Sequence, residues 1–219
     1  MNRVNHTINV LFLDFDGVII ESVGVKTEAF RELFEVYIEQ VDDIVAYHLR
    51  NNGVSRFVKF THIYEHILGL PFDESTRETV GRRFSEIVFN RVVGCSLVPG
   101  AEALLNEFSG RIPMYVISAT PEEELRRVVA ARGLADYFEN VHGTPGTKAG
   151  HIQRILGVLK LSPFQATLVG DSVEDFKAAR VTGIHFIGRQ NQESFNGSDF
   201  PISPDLFGVA TTLRELMSR

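Results

Sequence analysis

The chain has 219 residues, of which 44% are hydrophobic and 23% charged, and carries a formal net charge of −6 from 28 acids and 22 lysines and arginines. Those values fit one globular core, or a core with a small second domain, and the acidic balance argues against non-specific nucleic-acid binding. Its single cysteine, Cys95, excludes an intrachain disulfide, and no apolar stretch approaches a membrane span or a signal segment, so a cytoplasmic protein without a membrane partner is expected.

The first predicted element is a buried strand over 8–14, an apolar run that ends in Asp14-Phe15-Asp16-Gly17. Two acids at the end of a buried strand need a compensating ion or a chemical task. Gly17 lets the backbone turn sharply beside a ligand.

From about residue 20 to 94 no strand is evident. Phe30, Leu33, Phe34, Tyr37 and Ile38 recur at helical spacing. Phe57, Phe60, Tyr64, Ile67 and Leu68 do the same, as do Val80, Phe84, Ile87 and Val88. Asn51-Asn52-Gly53 and Gly69-Leu70-Pro71 punctuate the stretch, and Val98-Pro99-Gly100 marks its end. The expectation is a helical domain over 20–94, inserted into a core formed by 1–19 and 95–219.

Beyond it, helices are predicted over 99–109, 121–132, 148–160 and 173–182. Strands are predicted over 113–118, 166–171 and 183–188, with a shorter one at 137–141. The main strands are apolar on both faces, as in a parallel sheet covered by helices. The polar stretch 190–204 reads as a surface loop. The fold class is therefore α/β: a Rossmann-like parallel sheet with helices on both faces and an inserted helical cap.

Ligands of such sheets sit beyond the carboxyl ends of the strands. Those ends carry Asp14 and Asp16, then Ser118-Ala119-Thr120, then Gly170-Asp171-Ser172 with Asp175 close behind. Lys148 follows the loop Gly143-Thr144-Pro145-Gly146-Thr147. Each residue has a plain structural explanation. Thr120 is expected to cap the helix that follows, with Pro121 at its first position and Glu123 closing a capping box. Ser172 and Asp175 fit the same pattern, and Lys148 alone reads as a solvated lysine. The set, in this order and at strand ends, does not reduce to those readings. Asp14, Asp16 and Asp171 would repel one another without a hard cation such as Mg²⁺ among them. That cation and Lys148 would attract a phosphate dianion, on which an aspartate can act as nucleophile.

The chain resembles the haloacid dehalogenase superfamily of phosphotransferases. The resemblance rests on Asp14-Phe15-Asp16-Gly17, the strand-terminal Ser118, Lys148 and the run Gly170-Asp171-Ser172 through Asp175, and it covers the whole chain. The helical insertion looks like the cap of the subgroup containing phosphoglycolate phosphatase and β-phosphoglucomutase. The resemblance implies a Mg²⁺-dependent phosphatase acting on a small phosphorylated metabolite through an aspartyl-phosphate. Asp14 would be the nucleophile, and Asp16 the acid that protonates the leaving oxygen and then the base for water. Asp14, Asp16 (through its backbone carbonyl), Asp171 and Asp175 would bind Mg²⁺. Gly17, Ser118, Ala119 and Lys148 would contact the phosphate. The connections near 17–22 and 94–99 would be hinges. A phosphomutase of the β-phosphoglucomutase type is the alternative, followed by a non-turnover phosphate-binding or signalling protein. A monomer or homodimer is expected.

Within the insertion, Ser55 is a plausible helix cap, which places Arg56 where it either faces the core site and helps choose substrate or lies exposed in solvent. Lys26 and Lys59 are weaker candidates. His62 and His66 share a helix face but lack the remaining residues of a zinc pattern, so they are expected at the surface. Arg189 is expected in a structural ion pair. Two departures stand out: Glu21-Ser22 replaces the Asp-Ser pair of many such phosphatases, and Val18 follows Gly17 where Thr is common.

Overall fold

The computed structural model describes residues 8–190, 195 and 199–218. Six strands form one sheet: β1 (Val10–Leu13), β2 (Met114–Pro121), β3 (Asn140–Thr144), β4 (Ala166–Gly170), β5 (His185–Arg189) and β6 (Ile202–Ser203). Their order is β3-β2-β1-β4-β5-β6, and every neighbouring pair is parallel. Four helices follow β1: α1 (Val23–Leu33), α2 (Val41–Arg50), α3 (Arg56–His62) and α4 (Glu74–Val93). Five more alternate with the later strands: α5 (Ala101–Phe108), α6 (Glu122–Ala131), α7 (Lys148–Leu159), α8 (Val173–Thr182) and α9 (Leu206–Met217). The parallel α/β architecture is as the sequence predicts.

Strand periodicity explains why both faces are covered. In β1, Leu11 and Leu13 join the cluster that contains Leu104 and Phe108 of α5, Val128 of α6 and Val209 of α9. Val10 and Phe12 point the other way, into a cluster with Ile152 and Leu156 of α7 and Ala179 of α8. Alternate side chains on opposite faces, both apolar, are what a buried parallel strand requires.

The inserted helices carry an aromatic interior of their own. The Phe30 ring lies 4.9 Å from that of Phe84, edge-on, and 5.6 Å from that of Phe60. Such ring pairs contribute about 0.5–1.5 kcal/mol each beyond area burial. The interior continues without a break into the core, since Phe30, Phe60 and Phe84 belong to the same buried cluster as Leu104 and Val116. After α3 the helix widens into a π-helical stretch, Ile63–Leu68, which Gly69 stops with φ +65°.

Several details depart from expectation. The short strand begins at Asn140, because Ala135–Tyr137 forms a 3₁₀ turn. The predicted loop 190–204 lies partly outside the described residues, and its far end supplies β6. Helix α9 was not anticipated. Its Leu206, Val209, Ala210 and Leu213 are buried at helical spacing, and Asp205 caps it by accepting from the Gly208 N–H at 2.9 Å. Strand β2 runs on through Thr120 to Pro121, and α6 starts only at Glu122. Thr120 is therefore not a helix cap; Pro121 occupies that position and has no side-chain capping bond.

Register sets where the site lies. Leu13 of β1 pairs with Val116 of β2 and Val169 of β4, so β1 and β4 end side by side while β2 runs on past them to Pro121. The chain leaves β1 toward β2 and β3, then returns to build β4 to β6 on its other side. The carboxyl ends of β1, β2 and β4 therefore flank the crevice where the connection reverses.

Candidate active site

Asp14 follows β1 directly and is 3% exposed. The Phe15 N–H donates to its Oδ1 at 2.7 Å, and Lys148 Nζ lies 2.9 Å from its Oδ2. Lys148 begins α7, whose N-terminus Thr147 caps by accepting from the Gly150 N–H at 3.1 Å. The same ammonium donates to Asp175 Oδ1. The other oxygen of Asp175 accepts from the Ser172 N–H at 3.2 Å and the Ser172 hydroxyl at 2.5 Å. Asp175 thus closes the capping box of α8 and also anchors Lys148. The capping role expected of Asp175 is present, and the Lys148 contact is additional to it.

One carboxylate oxygen each from Asp14, Asp171 and Asp175 lies within 4.8 Å of the others. All three residues are buried. Burial pushes the Asp14 carboxyl up to about 7; Lys148 opposes that shift, while Asp175 and Asp16 add to it. Burial also pulls on the Lys148 ammonium, but Asp14 and Asp175 outweigh it and hold its pKa well above the usual lysine range. A carboxyl that burial and neighbouring acids lift this far is short of positive charge. Gly17, at φ +76°, brings its backbone so close to Asp171 that a Cβ there would lie 2.1 Å from Oδ2. Three oxygen donors with a backbone pressed against them fit a hard divalent cation.

Asp16 is arranged differently. Its carboxylate is not among the three that gather. It accepts from the Ser22 hydroxyl at 2.5 Å and the Thr120 hydroxyl at 3.0 Å, and pairs with Lys26 Nζ at 2.5 Å. Burial would raise its pKa, but Lys26, Ser22 and Thr120 outweigh that and keep it below the usual carboxylate value. The carboxylate cluster read from the sequence, Asp14, Asp16 and Asp171, is therefore replaced by Asp14, Asp171 and Asp175. Ser118 ends the regular part of β2, and the Thr120 N–H donates to its Oγ at 3.1 Å. Ala119 lines the same cavity.

The inserted helices close over this site. Asn52 Nδ2 donates to Asp171 Oδ2 at 3.4 Å. At Gly53 (φ +83°) a Cβ would lie 2.3 Å from Ser172 Oγ. Arg56 is neither exposed nor unpaired: it is 6% exposed, and both terminal nitrogens donate to Glu124 of α6. Beneath these contacts is a cavity of about 50 Å³ lined by Asp14, Asp16, Lys26, Arg56, Lys59 and Ser118. A wide cleft of about 1110 Å³, between Phe57 and Arg77 on one side and Lys148 and Glu122 on the other, leads toward it.

Other expectations resolve simply. Arg189 pairs with Glu21 at 2.5 Å and donates to the Gly17 carbonyl at 3.2 Å, so it is structural and props the first loop. His62 is half-buried, stacked between Tyr47 and His66, and only His66 is exposed as expected. Asn52, Thr120, Ser85 and Glu124 were not picked out by sequence reasoning as parts of the site. The alternation of β2, which puts Thr120 on the same side as Ser118, was the available signal for Thr120.

A model of the haloacid dehalogenase-like hydrolase family matches residues 10–189. The chain belongs to that family. Haloacid dehalogenase-like hydrolases of known sequence include the phosphoglycolate phosphatase of Rhodospirillum rubrum, which is 26% identical over 184 residues, 80% of this chain and 76% of that one. Among solved structures, a predicted phosphoglycolate phosphatase from Haemophilus somnus superposes with a TM-score of 0.76 at 15% identity, over 94% of this chain and 97% of that one. The β-phosphoglucomutase of Clostridium difficile superposes with a TM-score of 0.72 at 17% identity, over 97% and 100%. The haloacid dehalogenase-like fold thus extends across almost the whole chain, and the chain is a hydrolase by family.

Proposed function

We propose that this hydrolase is a Mg²⁺-dependent phosphatase that cleaves a small phosphorylated metabolite through an aspartyl-phosphate on Asp14. The observation that carries the reading is the buried Asp14 carboxylate, held by Lys148 at 2.9 Å and gathered with Asp171 and Asp175 at the end of β1. Asp14, Asp171, Asp175 and the Asp16 carbonyl would hold the cation, which when bound neutralises charge on the transferring phosphoryl group.

The protein's own groups supply the rest. An Asp14 oxygen attacks phosphorus, and the ester oxygen leaves with a proton from Asp16. Asp16 then takes a proton from the water that cleaves the acyl phosphate. The Ser118 hydroxyl donates to a phosphoryl oxygen, Lys148 balances its charge, and the backbone at Gly17 and Ala119 lies against it. Held by Lys26, Asp16 is in the base form that the second step needs. The first step needs Lys26 drawn elsewhere, so that Asp16 can carry a proton.

In this reading residues 20–94 act as a cap that closes over the core of 1–19 and 95–219, with Asn52, Gly53 and Arg56 as its contact edge, and Arg56 takes part in substrate choice. Closure excludes water that is not placed for reaction. Small leaving groups suit the cavity. The proposed setting is the cytoplasm, which the lone Cys95 supports, with the protein a monomer or homodimer and without nucleic-acid or membrane partners. The test is phosphate release from a panel of phosphorylated metabolites with Mg²⁺. Release that stops with EDTA supports the reading; metal-independent release contradicts it.

A further inference from the structure

Lys59 of α3 is 4% exposed and lines the same cavity as Asp14 and Asp16. Buried lysines are rare unless paired. Its Nζ lies 3.1 Å from His48 Nδ1 and 5.6 Å from the centre of the Phe30 ring. His48 is buried and stacked on Phe30 at 4.1 Å, and burial, with Lys59 and Lys26 adding to it, pushes its pKa down to about 2, so its ring stays neutral and Nδ1 accepts from the lysine.

Three cations face this cavity. Lys26 is matched by Asp16, and Arg56 by Glu124. Among the described residues no carboxylate pairs with Lys59. Burial, with Lys26 and Arg56 as like-charged neighbours, pushes the Lys59 ammonium down to about 7, and Asp16 opposes the shift without cancelling it. Such an arrangement is costly in the protein alone, and an incoming anion offsets the cost.

Resting on the phosphatase reading, we infer that Lys59 is the receptor for a second anionic group on the leaving-group side of the substrate. The substrate class is then a phosphomonoester whose alcohol carries a carboxylate or a second phosphate a short chain away from the ester oxygen. The cavity of about 50 Å³ supports a short chain, since it has room for only a few water-sized groups while the inserted helices are closed.

The test is kcat/KM, with Mg²⁺ and the full chain, for three esters of two-carbon alcohols: ethyl phosphate, phosphoglycolate and ethylene glycol bisphosphate. The pair of anionic esters separates a carboxylate from a phosphate. The native protein is expected to prefer at least one of them over ethyl phosphate by about 10–100-fold, the range for a hydrogen bond to a charged group. Lys59→Met is expected to bring that ratio to near one, mainly through KM, and Lys59→Arg to keep part of it. Lys59→Gln provides a second uncharged variant. A preference that survives in Lys59→Met and Lys59→Gln overturns the assignment, as do equal kcat/KM values for all three esters in the native protein. Hydrolysis of none of the esters tried, nor of any wider panel, overturns the phosphatase reading itself and the substrate class with it.

Discussion

Arg56 and Glu124 join the inserted helices to the core by a two-pronged ion pair, Nη2 to Oε1 at 2.5 Å and Nη1 to Oε2 at 3.0 Å. Ser85 of α4 donates to the same Oε2 at 2.5 Å, and the guanidinium lies 4.7 Å from the centre of the Phe84 ring. Burial would raise the Glu124 carboxyl, but Arg56 and Ser85 hold it below its usual value. Removing one member of a buried pair leaves the other without compensation, at a cost of about 3–5 kcal/mol. Glu124→Gln is accordingly expected to lower stability in urea unfolding by that order. Arg56→Met added to Glu124→Gln recovers most of the loss. A loss in the double variant equal to the sum of the losses in Arg56→Met and Glu124→Gln alone would show that the pair is not coupled.

Thr120 separates two accounts of one residue. As a helix cap it would contribute about 1 kcal/mol of stability and nothing to turnover. In the structure its hydroxyl donates to Asp16 and accepts from Lys26 at 3.0 Å. Thr120→Val is expected to cut kcat by about 10–100-fold through loss of a hydrogen bond to a charged group, with little change in melting temperature. Unchanged kcat with a clear fall in melting temperature would restore the capping account.

The fold was legible in the sequence because its signals are local. The central strands are predominantly apolar runs, and the helical insertion is a succession of aromatic residues at helical spacing. Strand β6 is two residues long, too short for any periodicity to register. Helix α9 did carry a signal, Asp205 ahead of an apolar stripe, and it went unread. Asp14, Lys148, Asp171 and Asp175 were recognisable because each sits at a strand end or helix start. The direction of the Asp16 side chain was not legible, because it depends on Lys26 and on Thr120, 104 residues away. Asn52, Ser85 and Glu124 were invisible for the same reason: their partners lie across the boundary between the inserted helices and the core.

Gly53 tests closure. Its φ of +83° disfavours any side chain, and a Cβ there would press on Ser172 Oγ. Gly53→Ala is expected to hold the inserted helices off the core, lowering kcat at least about tenfold, as misplacement of a closing lid does. Faster amide exchange over 50–56 should accompany it. Native kcat in this variant would show that the closed contact is not needed for turnover.

Lys59 makes stability depend on pH with a defined sign. Its pKa is 10.5 when unfolded and about 7 when folded, so between those values the unfolded chain binds more protons. Stability should therefore rise with pH across that window, up to the ordinary lysine value. The difference between native protein and Lys59→Met isolates this contribution, and the slope should vanish in the variant. Replacing both partners, Lys59→Met with His48→Phe, should raise stability at neutral pH by about 1–4 kcal/mol, as removal of buried ionic groups often does. Identical pH profiles for native protein and Lys59→Met would contradict the assigned environment.

The central claim is that Asp14 is the nucleophile of a metal-dependent phosphatase. Its most direct test is phosphate release from a broad panel of phosphorylated metabolites, in Mg²⁺ and in EDTA, for native protein beside Asp14→Asn. The expected result is release of phosphate from one or a few small compounds, abolished both by EDTA and by the substitution, while Asp14→Asn remains folded. Hydrolysis by Asp14→Asn at the native rate would contradict it.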